Sequence, residues 1–277
     1  MKKKRKPYKL IYTGILLLAV ILIGVISFSV YKLSTEYLPQ QKEIQRFDEL
    51  REILYQTEET VGEDEEDPSA AEDTPVETTS KGEPIRVYSL EELFSLNGDM
   101  TAWLTVPDTG IDYPVMHTPD DVEYYLHTDF DGYYSFSGCL FVGDNCDIDS
   151  DIFVIYGHNM NNGSMFGEID LYSYRDYMDE HCDMILRTRD GNRLYRIFAA
   201  FPTKVYEEDD ESEDFRYYFS VGEKTKEEYQ SIVDEICELS VVSVTEKPLY
   251  PAQIAYLSTC AYHEDNGRFV VAAYRIH

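Results

Sequence analysis

The sequence predicts a mainly β protein: an eight-stranded barrel with two or more peripheral helices, preceded by an N-terminal transmembrane helix. Three observations lead to this class. Eight short apolar or alternating runs are bounded by Gly, Pro, Asn or Asp, which favours a closed barrel over a doubly wound sheet. Two segments between those runs have helical periodicity. An uncharged apolar stretch near the N-terminus is long enough to cross a bilayer.

The N-terminal stretch divides into a basic tail, residues 1–9, and an apolar segment, residues 10–31, that contains no charged side chain. A helix of this length spans a hydrocarbon core of about 30 Å. Because the basic residues precede it, the positive-inside rule places the N-terminus in the cytoplasm and the rest outside the cell. A cleaved signal peptide is the alternative, but its apolar core is usually about 7–15 residues long. No Ala-x-Ala follows Tyr31, so we expect a retained single-pass anchor in the cell membrane.

Two segments are expected between the anchor and the globular domain. Residues 32–56 are interpreted as a juxtamembrane helix, because apolar side chains recur at helical spacing from Gln41 to Tyr55. Residues 57–84 are acidic and rich in Thr, Ser, Pro and Gly, with almost no large apolar side chain. Such a segment buries too little surface to offset its ordering entropy, so it is predicted to be a flexible linker. The extracellular globular domain then occupies residues 85–277.

The globular domain contains all eight predicted strands and two predicted helices. Apolar spacing predicts a helix over Lys224–Leu239, and a shorter one is expected between Met165 and Met178. The predicted strands are Trp103–Val106, Ile111–Met116, Gly138–Val142, Ile152–Tyr156, Met184–Thr188, Leu194–Ala200, Ile254–Thr259 and Phe269–Ile276.

The charge of the chain is strongly acidic, with a formal net charge of −29. Seven of the 24 Lys and Arg residues lie in residues 1–32, which hold no acid, so the rest of the chain carries 17 basic and 53 acidic residues. Nucleic-acid binding requires a basic surface, so no nucleic-acid partner is expected. An acidic domain tolerates cationic substrates, although the same charge also serves solubility.

The five cysteines are an odd number, which on an exported chain indicates at least one free thiol. Cys139 and Cys146 could pair across a loop, but the sequence does not establish this. Cys182 and Cys237 are expected to act as small apolar residues in packing. There is no CxxC pair and no loop of EF-hand spacing, so neither a metal nor another cofactor is expected.

Three chemically matched residues stand at predicted strand ends. Cys260 ends one strand, Arg268 begins the next after a turn of seven residues, and His158 follows a third strand through Gly157. A thiolate is a nucleophile, and a neighbouring cation favours it over the thiol. An imidazole can protonate a departing amine, and a guanidinium can bind an oxyanion. The pattern therefore indicates acyl transfer at an amide carbonyl.

Simpler interpretations exist for each residue type. A cysteine after an apolar strand is usually buried and inert, and a histidine there often makes one structural bond. His263 competes with His158 because it lies near Cys260, but its acidic turn points to solvent. Structural or surface roles are expected for the remaining histidines: His117, His127, His181 and His277.

Taken together, these motifs resemble the sortase family of cell-wall transpeptidases. The resemblance rests on Tyr156-Gly157-His158-Asn159-Met160, on Leu257-Ser258-Thr259-Cys260 and on Arg268-Phe269-Val270-Val271, and it covers about Leu93 to Ile276. The Gly-His-Asn-Met motif and the long helix ahead of the cysteine strand are most similar to class B. Tyr256 departs from the family pattern, which has Thr there, and this puts substrate preference in doubt more than catalysis.

The resemblance implies a sortase-type barrel and a set of roles. Cys260 would be the nucleophile, His158 the general acid and then base, and Arg268 the clamp for oxyanion and substrate. Ser258, Thr259 and Asn159 are the candidate substrate-binding residues. The implied partners are surface proteins with a C-terminal sorting signal and an amine of a peptidoglycan precursor, joined through a thioacyl-enzyme.

Two other functions remain open on the sequence. A pilin-polymerising sortase would use the same fold to join subunits through a lysine amine. A non-catalytic surface protein would use the barrel to bind peptides, and its Cys260 would resist alkylation.

Overall fold

The computed structural model describes residues 8–56, 78–82, 90–206, 210, 212, 214–260 and 266–276; the side chains of residues 8–11, 36, 56 and 260 lie outside that description. The chain forms two compact units, residues 1–45 and residues 46–277.

The first unit is helical. Helix α1, Tyr8–Lys32, is long and apolar enough to cross a membrane, judged by its length and composition. A π-helical turn, Leu33–Tyr37, follows it, and α2, Leu38–Gln56, begins there and continues into the second unit. The predicted helix Gln41–Tyr55 thus lies within α2.

The second unit is an eight-stranded closed barrel, which confirms the predicted fold class. Each predicted strand is present, with ends that shift by a few residues. The strands are β1 Met100–Thr105, β2 Asp112–Met116, β3 Leu140–Val142, β4 Ile152–Tyr156, β5 Asp183–Thr188, β6 Gly191–Lys204, β7 Ile254–Cys260 and β8 Gly267–Arg275.

The strands close in the order β1-β2-β3-β4-β7-β8-β6-β5, and β5 pairs back onto β1. Two neighbouring pairs, β2 with β3 and β4 with β7, are parallel, and the other six are antiparallel. Strand β6 is twice as long as predicted, because it pairs with β5 along its first part and with β8 along most of its length.

Both faces of the central strands are buried. In β7, Ala255 and Leu257 belong to the main core cluster, whereas Ile254 and Tyr256 belong to a second cluster. This alternation follows the two-residue repeat of a strand. The second cluster is completed by helix α5, Lys226–Leu239, so burial on both sides explains the continuous apolar runs of β4 and β7.

The peripheral helices differ from the sequence prediction in one place. In place of the single short helix expected between Met165 and Met178, a 3-10 turn, Ile169–Ser173, precedes α4, Arg175–Glu180. Tyr174 separates them with an extended backbone, φ −101° and ψ 127°. The other α-helices described in this unit are α3, Glu91–Leu96, and α5, which starts at a capping box formed by Thr225 and Glu228; two short 3-10 helices span Tyr124–Leu126 and Tyr217–Phe219.

Part of the predicted linker contacts the barrel. The backbone N–H of Ser80 donates to the Asp183 carboxylate, and Lys81 Nζ lies 2.6 Å from Asp108 Oδ2. The rest of that segment, residues 57–77, 83 and 84, lies outside the described residues. The four cysteines whose side chains are described are all free thiols, so Cys139 and Cys146 do not form a disulfide.

Candidate active site

The parallel pairing of β4 with β7 brings two of the predicted residues to one end of the barrel. Tyr156 and Ser258 are register partners, and the Gly157 N–H donates to the Ser258 carbonyl at 3.1 Å. His158 and Cys260 each follow two residues beyond that pair. Adjacent strands lie about 4.8 Å apart, so the backbones of His158 and Cys260 are expected at the same end of the barrel.

The antiparallel pairing of β7 with β8 brings in the third residue. Cys260 and Arg268 are register partners across this hairpin. The Arg268 guanidinium donates to the Gly267 carbonyl at 3.0 Å, which holds the side chain near its own strand end. The turn between the strands, residues 261–265, lies outside the described residues, and the prediction for His263 falls on it.

His158 and Arg268 line one cleft with a volume of about 410 Å³. Of the three candidate substrate-binding residues, Ser258 and Thr259 line it as well, whereas Asn159 is absent from its described lining and forms an isolated β-bridge with Met165. The other lining residues are mostly apolar or aromatic: Val122, Glu123, Leu126, Phe141, Asp144, Asn145, Tyr156, Gly157, Val205, Tyr218 and Phe219.

The imidazole of His158 is held in one tautomer. Its Nε2 lies 2.8 Å from the Leu126 carbonyl oxygen. A carbonyl only accepts hydrogen bonds, so Nε2 carries a proton in both the neutral and the cationic ring. Nδ1 is therefore the nitrogen that gains and loses a proton, which is the property that acid–base catalysis requires.

Gly157 sets the backbone that carries His158. A Cβ at this position would lie 2.4 Å from Leu140 Cδ2 and 2.7 Å from Phe166 Cδ2. No larger side chain fits unless those groups move. The Gly-His pair of the sequence motif thus reflects close packing directly beneath the imidazole.

A buried hydroxyl cluster supports the opposite wall. The hydroxyls of Tyr217 and Ser258 are 2.7 Å apart, and Tyr217 also interacts with Tyr156. Burial is the main cause that raises the pKa of both tyrosines, although the nearby Arg268 cation opposes it. The hydroxyls of Tyr156 and Tyr217 therefore stay neutral. The hydroxyl of Tyr217 remains hydrogen-bonded to Ser258 of β7.

Thr259 differs from Ser258 in having an unsatisfied hydroxyl. Its side chain is 2% exposed, and within the described part of the chain Thr259 Oγ1 has no hydrogen-bond partner. A buried hydroxyl left without a partner costs about 1–3 kcal/mol. Thr259 is also one of the residues that line the cleft.

Tyr256 lies away from the cleft. Its ring is fully buried in the cluster under α5, and its hydroxyl is 3.0 Å from Ser220 Oγ. The side chain points to the other face of β7 from Leu257. The departure from the family pattern at this position therefore affects packing beneath the helix, and Tyr256 is not among the described residues that line the cleft.

One neighbour of the site was missed on the sequence. The sequence assigned His127 a structural or surface role; its side chain is exposed, and its ring stacks on the His158 ring with centroids 5.2 Å apart and planes 28° apart. Phe136 lies parallel to His158 at 6.5 Å. These contacts join a loop to β4 across 31 residues of sequence, so no local pattern could have indicated them.

Comparison with known proteins identifies the family of this chain. The family model described as a sortase domain matches residues 104–276, which is more than half of the chain. This chain belongs to the sortase family. It is 31% identical over 187 residues to sortase B of Listeria monocytogenes, covering 66% of this chain and 72% of that protein.

Solved structures are similar over the barrel. Sortase B of Clostridium perfringens superposes with a TM-score of 0.59 at 28% identity, covering 68% of this chain and all of that one. Sortase B of Listeria monocytogenes gives a TM-score of 0.55 at 28% identity, covering 67% of this chain and 99% of that one. The chain is thus most similar to class B sortases, and it is a cysteine transpeptidase of the sortase fold.

Gly138 offers a test of how the Leu126 carbonyl is placed. Its backbone is left-handed, with φ +58°, and a Cβ there would lie 2.3 Å from the Tyr125 oxygen and 2.4 Å from the Leu126 oxygen. Gly138→Ala should lower the free energy of unfolding by about 1–3 kcal/mol in urea denaturation. Gly98→Ala, where a Cβ meets nothing within 4 Å, is the matched control. Equal urea midpoints for the two variants would contradict this account.

Proposed function

We propose that this sortase cleaves the C-terminal sorting signal of surface proteins through a thioacyl-enzyme at Cys260, and then transfers the acyl group to an amine of a peptidoglycan precursor. The observation that supports the proposal is the register of β4, β7 and β8, which brings the backbone of Cys260 to the end of the barrel where His158 and Arg268 line one cleft.

In the first half-reaction the Cys260 thiolate attacks the carbonyl carbon of the scissile peptide bond. The carbonyl oxygen becomes an oxyanion, and the Arg268 guanidinium donates hydrogen bonds to it. The C–N bond then breaks, and His158 gives its Nδ1 proton to the departing amine. The products are a thioester on Cys260, a neutral imidazole and a released C-terminal peptide.

In the second half-reaction the acceptor amine attacks the thioester carbonyl. His158 Nδ1 takes a proton from the amine as the new C–N bond forms. The tetrahedral intermediate collapses, and the thiolate of Cys260 leaves. A nearby guanidinium favours that thiolate, so the same cation supports both attack and departure.

Thr259 and Ser258 are proposed to contact the sorting signal. The unpaired Thr259 hydroxyl needs a partner that the described residues do not supply, and a peptide group of the substrate would satisfy it. The Ser258 hydroxyl is hydrogen-bonded to the Tyr217 hydroxyl, so Ser258 would contribute to the shape of the cleft wall. Asn159, off the cleft lining, would act on the substrate only through the adjacent loop.

The proposed location is the outer face of the cell membrane. Helix α1 would be a retained single-pass anchor with the basic N-terminus in the cytoplasm, by the positive-inside rule. Residues 57–84 would act as a linker, and residues 85–277 as the extracellular catalytic domain. Both proposed substrates are then within reach of the cleft.

Substitution of the three residues tests the proposal with a fluorogenic sorting-signal peptide. Cys260→Ala should abolish cleavage, and His158→Ala should reduce kcat by about 10²–10⁴. Arg268→Lys should lose at least about tenfold, because an ammonium cannot replace the two-pronged guanidinium. Arg175→Lys, in an exposed ion pair on α4, is the matched control and should retain full activity.

Wild-type cleavage by the Cys260→Ala protein would end the assignment. In the same assay, a peptidoglycan stem amine and a pilin lysine peptide should be offered as acceptors. Transfer to the stem amine supports cell-wall anchoring, whereas transfer to the pilin lysine alone would establish the polymerising alternative.

Thr259→Val tests the proposed ligand contact. Valine matches threonine in shape and removes an unpaired hydroxyl, so stability should stay level or rise by about 1 kcal/mol. The same change should lower kcat/KM about tenfold, since the substrate loses a hydrogen bond. Thr188→Val is the control, because its buried hydroxyl donates to the Gly191 carbonyl at 3.0 Å away from the cleft. Thr188→Val should lower the free energy of unfolding and leave kcat/KM unchanged. A loss of stability with unchanged kcat/KM in Thr259→Val would exclude the proposed contact.

Thiol reactivity gives a prediction with a definite pH dependence. Burial raises the pKa of the Cys146 thiol to about 11, so this thiol stays protonated near neutrality. Burial also raises the pKa of Cys237. Iodoacetamide at about pH 8 should therefore modify Cys260 before Cys146 and Cys237, and modification of Cys146 should accelerate only as the pH approaches its pKa. Peptide mass spectrometry measures both rates, and equal rates at pH 8 would contradict the prediction.

A further inference from the structure

We infer that His127 is a positioning residue for catalysis: its ring braces one face of the His158 imidazole and fixes the plane in which Nδ1 exchanges protons. The inference rests on the proposed role of His158 as acid and base. It assigns a function to a histidine that no sequence motif singles out.

The first observation is ring geometry. The His127 and His158 rings are stacked, with centroids 5.2 Å apart, and Tyr134 also stacks with His127, with their centroids 6.2 Å apart. The Phe136 ring is nearly parallel to the His158 ring, with an angle of 8° between the planes and 6.5 Å between the centroids. Aromatic pairs of this spacing are stabilised beyond the burial of their surface, so the stack favours one orientation of the His158 ring.

The second observation is that one loop supplies both restraints on His158. Leu126 accepts the Nε2 hydrogen bond through its carbonyl, and the next residue, His127, supplies the stacked ring. A hydrogen bond fixes the direction of one ring nitrogen but leaves the ring free to tilt about that direction. A stacked neighbour removes this remaining freedom, so the two contacts together define the position of Nδ1.

The third observation is that the loop itself is rigidly held. The Ser135 N–H donates to the His127 carbonyl at 3.0 Å, and Thr128 bridges Tyr134. At the loop tip, Asp131 accepts two hydrogen bonds of 2.7 Å from Arg46 of α2. A stacked ring braces its neighbour only if its own backbone is fixed, and these contacts meet that condition.

Proton transfer depends steeply on placement, because a catalytic base must lie within hydrogen-bond reach of the proton it moves. His158 is only partly buried and lies at the rim, where packing on all sides is incomplete. The stacked ring of His127 replaces the missing packing. His127 acts through the contact surface of its ring, so a phenyl group of similar shape should replace it.

The test uses the full-length chain in detergent and three variants. His127→Ala removes the ring, and His127→Phe keeps a ring without nitrogens. Tyr133→Ala, 72% exposed on the same loop and without a ring contact among the described residues, is the matched control. Each is assayed for kcat and KM with the sorting-signal peptide and a stem amine. Side-chain motion of His158 is followed by relaxation of its ¹³Cε1–H signal in histidine-labelled protein.

His127→Ala should lower kcat about tenfold, with KM changed by less than about twofold, because orientation and not binding is lost. Its His158 signal should relax as that of a mobile ring. His127→Phe should retain at least about half of the wild-type kcat and a rigid His158 signal. Tyr133→Ala should match the wild type in both readouts. Urea midpoints of the Ala variants should agree, which separates positioning from loss of fold.

The inference is overturned if His127→Ala keeps wild-type kcat and a rigid His158, or if His127→Phe is as impaired as His127→Ala. It is also overturned if the loss appears in KM alone. Failure of the proposed function is a separate result: wild-type protein would then neither cleave nor transfer the peptide. In that case the relaxation of His158 in the two His127 variants still decides whether the stack fixes the ring.

Discussion

The parallel pairing of β4 with β7 is the constraint on which the site depends. Five register pairs run from Ile152↔Ile254 to Tyr156↔Ser258, and both faces of both strands are buried. A slip of one residue would turn each side chain to the opposite face, from the main core cluster to the one under α5. The aromatic and small residues on the two faces are not interchangeable in volume. Core packing therefore fixes the relative height of His158 and Cys260 to within one residue.

The site combines rigid polar support with one unsatisfied group. Behind the cleft, the hydroxyls of Tyr217 and Ser258 satisfy each other, and burial keeps the tyrosine neutral. At the cleft itself, Thr259 carries a buried hydroxyl without a partner in the described residues. Folding alone gains nothing from such a group. The contrast between these neighbouring residues separates the part of β7 that maintains the fold from the part for which we propose a ligand contact.

The loop from Leu126 to Gly138 is the second support of the site. Gly138 allows the Leu126 carbonyl to approach closely enough to fix the tautomer of His158, and His127 adds a ring against the same imidazole. Arg46 of α2 anchors the loop tip through Asp131. Residues that are far apart in the chain thus meet around one imidazole ring. The strand pairing sets the position of the imidazole, and the loop sets its orientation.

Much of this protein was determined by local sequence. Alternating and apolar runs predicted all eight strands, helical spacing predicted α5, and an uncharged stretch predicted α1, because each depends on the burial of side chains a few residues apart. The Cys-Arg and Gly-His motifs also indicated the candidate site, since the hairpin and the strand ends follow from nearby residues. The short helix after Met165 was predicted only roughly, because an extended Tyr174 divides it.

Tertiary structure alone decided the rest. The face on which Tyr256 lies, the missing partner of Thr259 and the stack of His127 on His158 depend on contacts between segments distant in sequence. The pattern of one segment records whether a side chain is buried, but not which side chain from elsewhere meets it. Register and barrel closure supply that information, and they arise from the packing of the whole domain.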